Sequence, residues 1–242
     1  MYPFIKIVLP LYGVCAAIGF VLAFILFIYR SRKLSLGILK KLQLVSALGI
    51  GLLIGSRLLF MITMIPKLDE EFSADKLSKV VFNGGFVFYG GLLGAIAGVW
   101  IFGKVNKISL SELFECITPC FPLFHALGRI GCFMGGCCYG IPCGFGFAMA
   151  SEPDVTRFPV QLVEAFCCFI IFILLLMVEK KQFKAPLLLV YLSSYSVIRF
   201  ILEFFRGDSI RGVWGCFSTS QWISLAILIS CMTFVFVRHK RK

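Results

Sequence analysis

The sequence has few charged residues for its length. Only 15% of its 242 residues are Asp, Glu, Lys or Arg, only 12 are acidic, and only two are histidine. An average soluble domain contains about 25% charged residues. This scarcity excludes an ordinary water-soluble globular protein.

Motifs for common soluble cofactors are also missing. The chain has no glycine-rich dinucleotide fingerprint, no phosphate-binding P-loop and no H-E-x-x-H zinc motif. We therefore expect no cofactor, and the sequence assigns no metal ligands.

Hydrophobic sequence is abundant instead. Hydrophobic residues make up 60% of the chain, and the mean hydropathy is +0.96. A helix needs about 20 apolar residues to cross a membrane. The first apolar run is too long for a signal peptide and lacks a convincing cleavage site, so we count it as a span. The prediction is one all-α membrane domain over residues 1–242 with seven transmembrane helices, at about residues 5–29, 43–65, 85–103, 109–127, 161–179, 185–205 and 219–237.

The net charge of +12 comes from short basic clusters between the apolar runs. This pattern favours orientation in a bilayer over nucleic-acid binding. With seven spans, basic segments at 30–42, 104–108, 180–184 and the C-terminal tail fall on one side, so the positive-inside rule predicts an outside N-terminus and a cytoplasmic C-terminus. The opposite side receives the acidic residues Asp69, Glu70, Glu71, Asp75, Glu152, Asp154 and Asp208.

One short segment is rich in glycine and cysteine. Residues 128–140 read Gly-Arg-Ile-Gly-Cys-Phe-Met-Gly-Gly-Cys-Cys-Tyr-Gly. Non-helical backbone at membrane depth is tolerated only where it is buried in protein or lines a water-filled site. We therefore expect a non-helical, re-entrant or outer-face segment around 128–160 that holds a polar group.

Charged residues also occur inside the apolar runs, where they are costly and usually functional. Arg57 lies in the second run, and Tyr195, Arg199, Glu203 and Arg206 share one face of a predicted helix by their spacing. One interpretation is a structural Arg199–Glu203 ion pair, with Arg206 reaching the interface. The other is a binding site for an anion. We expect Glu203→Gln to impair the activity of the protein more than Glu164→Gln does.

Other polar residues are predicted at the same outer face. Arg129 is either an ordinary interfacial arginine or part of the site, and Glu164, with Gln161, either offsets a helix dipole or faces the site. Tyr89 stands before Gly90 and Gly91, which either pack helices or line the site. Clustered arginines bind phosphate through paired hydrogen bonds, so the sequence indicates a site for an anionic phospholipid head group.

Five short segments of the chain, in the same order along the sequence, resemble the prolipoprotein diacylglyceryl transferase family. The resemblance covers about residues 5–237. It rests on Leu-Tyr-Gly at 11–13, Gly-Ser-Arg at 55–57, Phe-Tyr-Gly-Gly-Leu at 88–92, the segment at 128–140, and Arg-Phe-Ile-Leu-Glu-Phe-Phe-Arg at 199–206. Pro-Val-Gln-Leu-Val-Glu at 159–164 also fits.

The resemblance implies an enzyme of lipoprotein biosynthesis in the bacterial plasma membrane, with its active site facing the outer leaflet. It would move the diacylglyceryl group of phosphatidylglycerol to the cysteine thiol of a prolipoprotein. The resemblance implies that Arg129 and Arg199 bind the phosphate and glycerol, and that Glu203 orients an arginine. Tyr89 and His125 complete the predicted catalytic residues, as candidates for the base. The expected head-group contacts are Arg57, Gly90, Gly91, Arg129, Gln161, Glu164, Tyr195, Arg199 and Arg206.

The chain departs from the family pattern at several positions. Tyr89 replaces the family's histidine, Cys132 and Gly135 replace two asparagines, and Cys137 replaces a glutamate. His125, one turn before Arg129, is therefore an alternative proton acceptor. Two other functions remain open: transfer of phosphoglycerol to a different acceptor, and phospholipid binding or transport without catalysis.

The segment's cysteines allow three interpretations. Cys132, Cys137, Cys138 and Cys143 could form disulfides, could be reduced and merely packed, or could bind a metal or act as a nucleophile. Their spacing lacks the paired C-x2-C elements of structural zinc sites. The sequence leaves these alternatives open.

Overall fold

The computed structural model describes residues 11–34, 36–64, 87–149, 151–180, 186–208 and 213–240. Eight α-helices and four short strands lie in these ranges, together with short 3-10 turns at Ser31–Lys33 and Glu203–Phe205. In chain order they are α1 (Leu11–Arg30), α2 (Ile38–Met64), α3 (Phe88–Val105), α4 (Leu110–Ile117), α5 (Cys120–Gly135), β1 (Pro142–Met149), β2 (Glu152–Arg157), α6 (Val160–Lys180), α7 (Leu187–Leu202), β3 (Val213–Trp214), β4 (Phe217–Ser218) and α8 (Thr219–Lys240).

Seven helical segments among the described residues are long and apolar enough to cross a membrane. They are Leu11–Lys33, Ile38–Thr63, Phe88–Val105, Leu110–Gly135, Val160–Lys180, Leu187–Phe205 and Thr219–Arg238. The predicted class, a helical membrane protein with seven spans, is confirmed. Several residues used in the prediction lie outside the described ranges. They are 5–10, 65, 85–86 and 185 at the span ends, and the charged residues Asp69, Glu70, Glu71, Asp75, Lys181, Lys184, Arg241 and Lys242.

The prediction of a non-helical segment from residue 128 onward was wrong in its first part. Helix α5 continues to Gly135, and the chain turns only at Gly136, whose φ is 70°. The glycines allow close helix packing rather than ending the helix: a Cβ on Gly131 would lie 3.1 Å from the Cβ of Cys15 in α1. Small residues at such contacts are a common means of helix association in membranes.

The described structure also departs from a purely helical fold in two small antiparallel sheets. Strand β1 pairs with β2 in an irregular register, and β3 pairs with β4. At the irregularity, Gly146 has a φ of 131°, and a Cβ there would overlap the carbonyl oxygen of Arg157. Rings join the hairpin to its surroundings, with Phe147 5.1 Å from Phe133 of α5 and Phe158 5.1 Å from Phe205.

The chain divides into two compact units, Met1–Arg30 with Glu115–Lys242, and Ser31–Phe114. In the first unit, α1 packs on α5, α5 on α6, α6 on α7 and α7 on α8. Its buried centre includes Ala126, Ala165 and Cys168, together with Tyr191 and Tyr195, whose rings stack 6.1 Å apart.

Arg30 ties three helices of this first unit together. Its guanidinium donates to the carbonyl oxygens of Glu115 and Cys116 and pairs with Glu179 at 2.6 Å. The side chain of Glu115 also takes part, because its carboxylate oxygen Oε1 accepts the backbone N–H of Leu187 at 3.0 Å. In the sequence analysis Arg30 served only as one of the basic residues of segment 30–42. In the structure it is buried.

The second unit is built on a very close contact between α2 and α3. A Cβ on Gly94 would overlap the carbonyl oxygen of Gly51, and a Cβ on Gly90 would overlap that of Gly55. Such spacing of small residues lets two helix backbones approach each other in a membrane. The facing small residues are Ala47, Gly51 and Gly55 in α2, and Gly90, Gly94 and Gly98 in α3.

We expect Gly94→Ala to destabilise the protein, because even one methyl group would push against the α2 backbone. Overpacking of this kind costs roughly 1–3 kcal/mol, which corresponds to a fall of about 2–12 °C in the unfolding midpoint of a chain of this length. Gly49→Ala in α2 is the matched control, since nothing lies within 4 Å of its Cβ position. Thermal unfolding in detergent tests both variants, and equal midpoints would contradict the packing role.

Candidate active site

Buried polar side chains from three helices of the first unit meet near one end of those helices. Arg129 lies six residues before the end of α5, Glu164 lies four residues after the start of α6, and Arg199 lies three residues before the end of α7. At 1.5 Å per residue, these positions are roughly 5–9 Å inside the helix ends. The cluster is therefore within the apolar segments but close to one boundary.

The carboxylate of Glu164 is the centre of this cluster. Its Oε1 lies 3.0 Å from Nη2 of Arg129 and accepts the hydroxyl of Tyr195 at 2.9 Å, while its Oε2 lies 3.3 Å from Nη1 of Arg199. Glu164 is only 1% exposed. A buried carboxylate is tolerated when it is paired and hydrogen-bonded in this way.

Arg199 has a second acidic partner. Its Nη2 lies 2.8 Å from Oε2 of Glu203, one turn further along the chain, and 3.4 Å from the hydroxyl of Ser220 in α8. The i,i+4 ion pair predicted from the sequence is confirmed. It is part of a larger network rather than an isolated structural pair.

His125 belongs to the same cluster. Its Nε2 lies 3.6 Å from Glu164 Oε1, and its Nδ1 lies 3.4 Å from the sulfur of Cys168. The edge of the imidazole meets the ring of Tyr195, with centroids 5.0 Å apart. His125 is therefore a buried ring close to both a carboxylate and a thiol.

Arg206 does not lie on the helical face that the sequence predicted for it together with Tyr195, Arg199 and Glu203. Helix α7 ends at Leu202 and a 3-10 turn follows, so Arg206 has extended backbone and pairs through an isolated bridge with Gly140. Its guanidinium contacts the two carboxylate oxygens of Asp208 at 2.9 and 2.6 Å. Burial alone would lower the pKa of Arg206, but the hydrogen bonds and charge of Asp208 outweigh burial and raise the pKa above its usual value.

The segment after α5 is attached to the cluster. Gln161 donates a hydrogen bond from Nε2 to the carbonyl oxygen of Cys137 at 2.8 Å. The backbone N–H groups of Gly136 and Cys137 bond back to the carbonyls of Phe133 and Cys132, which is the Schellman pattern of helix ends.

Three cysteine sulfurs gather at this helix end. The Sγ atoms of Cys132, Cys137 and Cys138 lie within 4.8 Å of one another, and the eleven cysteines, all among the described residues, form no disulfide. Cys143 stands apart and donates its S–H to the carbonyl of Phe145. Hydrogen bonds from the Cys132 and Cys137 thiols lower the pKa of the Cys138 thiol, and the charges of Arg129 and Arg206 act in the same direction.

The remaining predicted residues lie in the second unit. Arg57 is half-buried on α2, and Tyr89 is almost fully buried at the start of α3. Gly90 meets the backbone of Gly55, and Gly91 has Leu52 3.4 Å from its Cβ position. Helix packing, one of the two interpretations left open, accounts for both glycines, and a head-group role for these residues stays a prediction.

The arrangement can bind a phosphate through guanidinium groups that are already oriented. A guanidinium has five N–H donors, so Arg129 and Arg199 can keep their bonds to Glu164 and still donate to another anion. Glu164 and Glu203 balance the two positive charges. Without these carboxylates, the two guanidinium groups would repel each other and take less defined positions.

Sequence reasoning underestimated Glu164 and left two residues of the cluster out of the predicted site. Cys168 at His125 and Ser220 at Arg199 were not predicted. The position of Cys168 could have been predicted from the sequence. Gln161, Glu164 and Cys168 recur at helical spacing and therefore face one side of α6. The ranking of Glu203 above Glu164 is not supported by the contacts.

Comparison with known proteins identifies the family of the chain. Residues 3–237 match the sequence model of the family described as prolipoprotein diacylglyceryl transferase. The phosphatidylglycerol–prolipoprotein diacylglyceryl transferase 2 of Clostridium perfringens is 31% identical over 90% of this chain and 86% of its own length. The corresponding proteins of Clostridium tetani and Geobacter sulfurreducens are 30% and 31% identical over 96% of this chain, and over 94% and 91% of their own lengths. The seven-helix membrane fold, the buried arginine–glutamate cluster and the match over nearly the whole chain lead to one conclusion: the protein is a member of the prolipoprotein diacylglyceryl transferase family.

Proposed function

We propose that the protein transfers the diacylglyceryl group of phosphatidylglycerol to the cysteine thiol of a prolipoprotein, a reaction of lipoprotein biosynthesis. The relatives with this name cover almost the whole chain. The observation that carries the proposal is the buried arrangement of Arg129 and Arg199 around Glu164, because it presents two oriented guanidinium groups inside a membrane protein.

The donor's phosphate binds to Arg129 and Arg199. In a bilayer the abundant phosphate is that of a lipid head group, and paired N–H donors match its oxygens. Tyr195 and Gln161 line the same region, and Glu203 fixes the orientation of Arg199. Arg206, held by Asp208, adds positive charge beside the cysteine segment.

The reaction is an attack by the acceptor sulfur on the glycerol carbon that carries the phosphate ester. A carbon–sulfur bond forms, and the carbon–oxygen bond to the phosphate breaks with its electron pair left on oxygen. Glycerol phosphate leaves. Arg129 and Arg199 stabilise the negative charge that grows on the leaving phosphate, and this stabilisation is strong where water is excluded.

Two residues are candidates for accepting the thiol proton. His125 lies in the cluster beside Glu164 and has an imidazole that can exchange protons. Tyr89, which the family resemblance sets at the position of the family's histidine, would have to accept the proton as the phenolate, because a neutral tyrosine hydroxyl is a poor base at neutral pH.

The protein spans the bacterial plasma membrane with its N-terminus outside, and the active site opens to the outer leaflet. The ends of α5 and α7 and the start of α6 carry the cluster, and the loops attached there contain few basic residues. The outward segment is shorter than first predicted, beginning at residue 136 rather than 128. The arginines then meet the phosphates of the outer lipid layer.

A labelled-lipid assay tests the proposed function. Purified protein is incubated with phosphatidylglycerol labelled in its glycerol head group, with and without a peptide that carries a prolipoprotein cysteine. Glycerol phosphate release that requires the peptide thiol supports the proposal. Release without the peptide would favour transfer to another acceptor, and binding without release would favour a lipid-binding or transport protein.

We expect Arg129→Ala to reduce glycerol phosphate release by about 10²–10³-fold, because one donor to the developing charge is worth roughly 3–4 kcal/mol. Arg129→Lys should recover only part of the rate, since an ammonium cannot make paired bonds. Arg32→Ala is the control, because Arg32 is exposed. Activity of Arg129→Ala within threefold of the unchanged protein would remove Arg129 from the mechanism.

We expect Glu164→Gln to lower the rate more than Glu203→Gln, the reverse of the ranking drawn from the sequence. The amide would keep the hydrogen bond from Tyr195 but leave two buried guanidinium groups without their shared charge, and breaking a buried ion pair costs roughly 3–5 kcal/mol. Initial rates are compared with those of the exposed control Glu112→Gln. A larger effect at Glu203 would contradict the central position of Glu164 in function.

Tyr89→Phe decides between the two proton acceptors. It keeps the ring and removes only the hydroxyl, so packing is almost unchanged. If Tyr89 is the acceptor, most turnover is lost and Tyr89→His restores part of it, whereas exposed Tyr29→Phe has no effect. Unchanged turnover in Tyr89→Phe would strike Tyr89 from the catalytic residues and leave His125, a cysteine of the 132–143 segment or water as the proton acceptor.

A further inference from the structure

The sulfurs of Cys132, Cys137 and Cys138 are close to the spacing of a metal site. All three lie within 4.8 Å of one another. Zinc–sulfur bonds of about 2.3 Å in tetrahedral geometry set neighbouring sulfurs about 3.8 Å apart. Side-chain adjustments of about 1 Å would therefore suffice for all three to bind one ion.

The backbone explains how the three sulfurs meet. In a Schellman motif, the residue two positions beyond the last helical residue contacts the one three before it, and here these residues are Cys137 and Cys132. Cys138 is added by an unusual conformation, with a φ of 56° that non-glycine residues rarely adopt. Helix capping therefore explains why the sulfurs of Cys132 and Cys137 meet. The sulfur of Cys138 joins them because its residue has a left-handed backbone conformation.

The donor set selects the class of metal. Thiolates bind soft or borderline ions such as zinc, whereas magnesium and calcium prefer oxygen ligands. Among the residues that the structure describes, the group contains three cysteines and no further histidine, aspartate or glutamate. Three protein ligands with a fourth position open is the arrangement of catalytic zinc sites.

We propose that Cys132, Cys137 and Cys138 bind one zinc ion as thiolates, and that the fourth position receives the thiol of the acceptor. The second half of this proposal rests on the proposed function. The zinc site would lie beside the lipid head group, because Arg129 and Cys132 are three residues apart on α5 and so face the same side. Gln161 holds the Cys137 carbonyl against the same cluster.

Zinc would promote deprotonation of the acceptor thiol. A thiol that coordinates the metal loses its proton, and the resulting thiolate is the nucleophile. Its sulfur forms a bond to the glycerol carbon, and the carbon–oxygen bond breaks with its electron pair left on the departing glycerol phosphate. The proton released on coordination passes to the proton acceptor of the proposed reaction, His125 or Tyr89. No oxidation or reduction occurs.

Cobalt(II) binding tests the metal site without reference to activity. Reduced protein, purified in detergent under anaerobic conditions, is stripped with a chelator and titrated with cobalt. We expect one ion per chain with the absorption bands of tetrahedral thiolate–cobalt, displaced by zinc. Cys132→Ser, Cys137→Ser and Cys138→Ser should each weaken binding at least tenfold, whereas Cys143→Ser should bind normally. Absent thiolate–cobalt bands, or equal losses with Cys143→Ser, would overturn the site.

Zinc replacement tests the acceptor role. Stripped protein should still bind phosphatidylglycerol vesicles but lose at least tenfold in peptide-dependent release of glycerol phosphate, and added zinc should restore it. Full transfer by stripped protein would overturn the acceptor role while leaving the proposed function intact. Normal cobalt binding with no transfer by any form would overturn the proposed function, and the acceptor role with it, but not the metal site.

Discussion

The active region depends on one buried carboxylate. Glu164 joins α5 and α7 to α6 through Arg129, Tyr195 and Arg199, all in a setting that water scarcely reaches. Several kcal/mol per ion are lost when charges leave water, and only good geometry recovers this cost. Glu164 therefore offsets the cost of burying both arginines, and Glu203 shares this role at Arg199. The same contact that allows their burial also fixes the direction in which they point.

The cysteine segment is a continuation of this arrangement. Because α5 ends in a regular cap three residues after Cys132, the turn lies at a fixed distance from Arg129, and the bond from Gln161 to the Cys137 carbonyl prevents the turn from moving away. A member of this family can thus change several residues of its signature without losing the arginine–glutamate cluster.

Whether a feature could be predicted from the sequence depends on how far apart along the chain its interacting residues lie. The seven spans and the Arg199–Glu203 pair were predicted, because an apolar run and an i,i+4 spacing are local properties. The central role of Glu164 was not, since its partners lie 35 residues before and after it, on two other helices. The helix through residues 128–135 was misread as a break because glycine was weighed by its propensity, whereas packing of Gly131 against Cys15 decides the outcome. Arg206 left its predicted face because α7 ends at Leu202.

Two separate networks hold α6 and α7. Near one end, both helices meet at Glu164; about 22 Å away along α6, Glu179 is bound by Arg30, and Arg30 and Leu187 of α7 are both attached to Glu115. A pair of helices fastened at two such points resists sliding and tilting, so it behaves as a fixed frame. A two-chained lipid must nevertheless enter and leave sideways from the bilayer. The opening that admits it must therefore come from elements outside this pair, and mutations that loosen those elements would alter lipid exchange while leaving the charged centre intact.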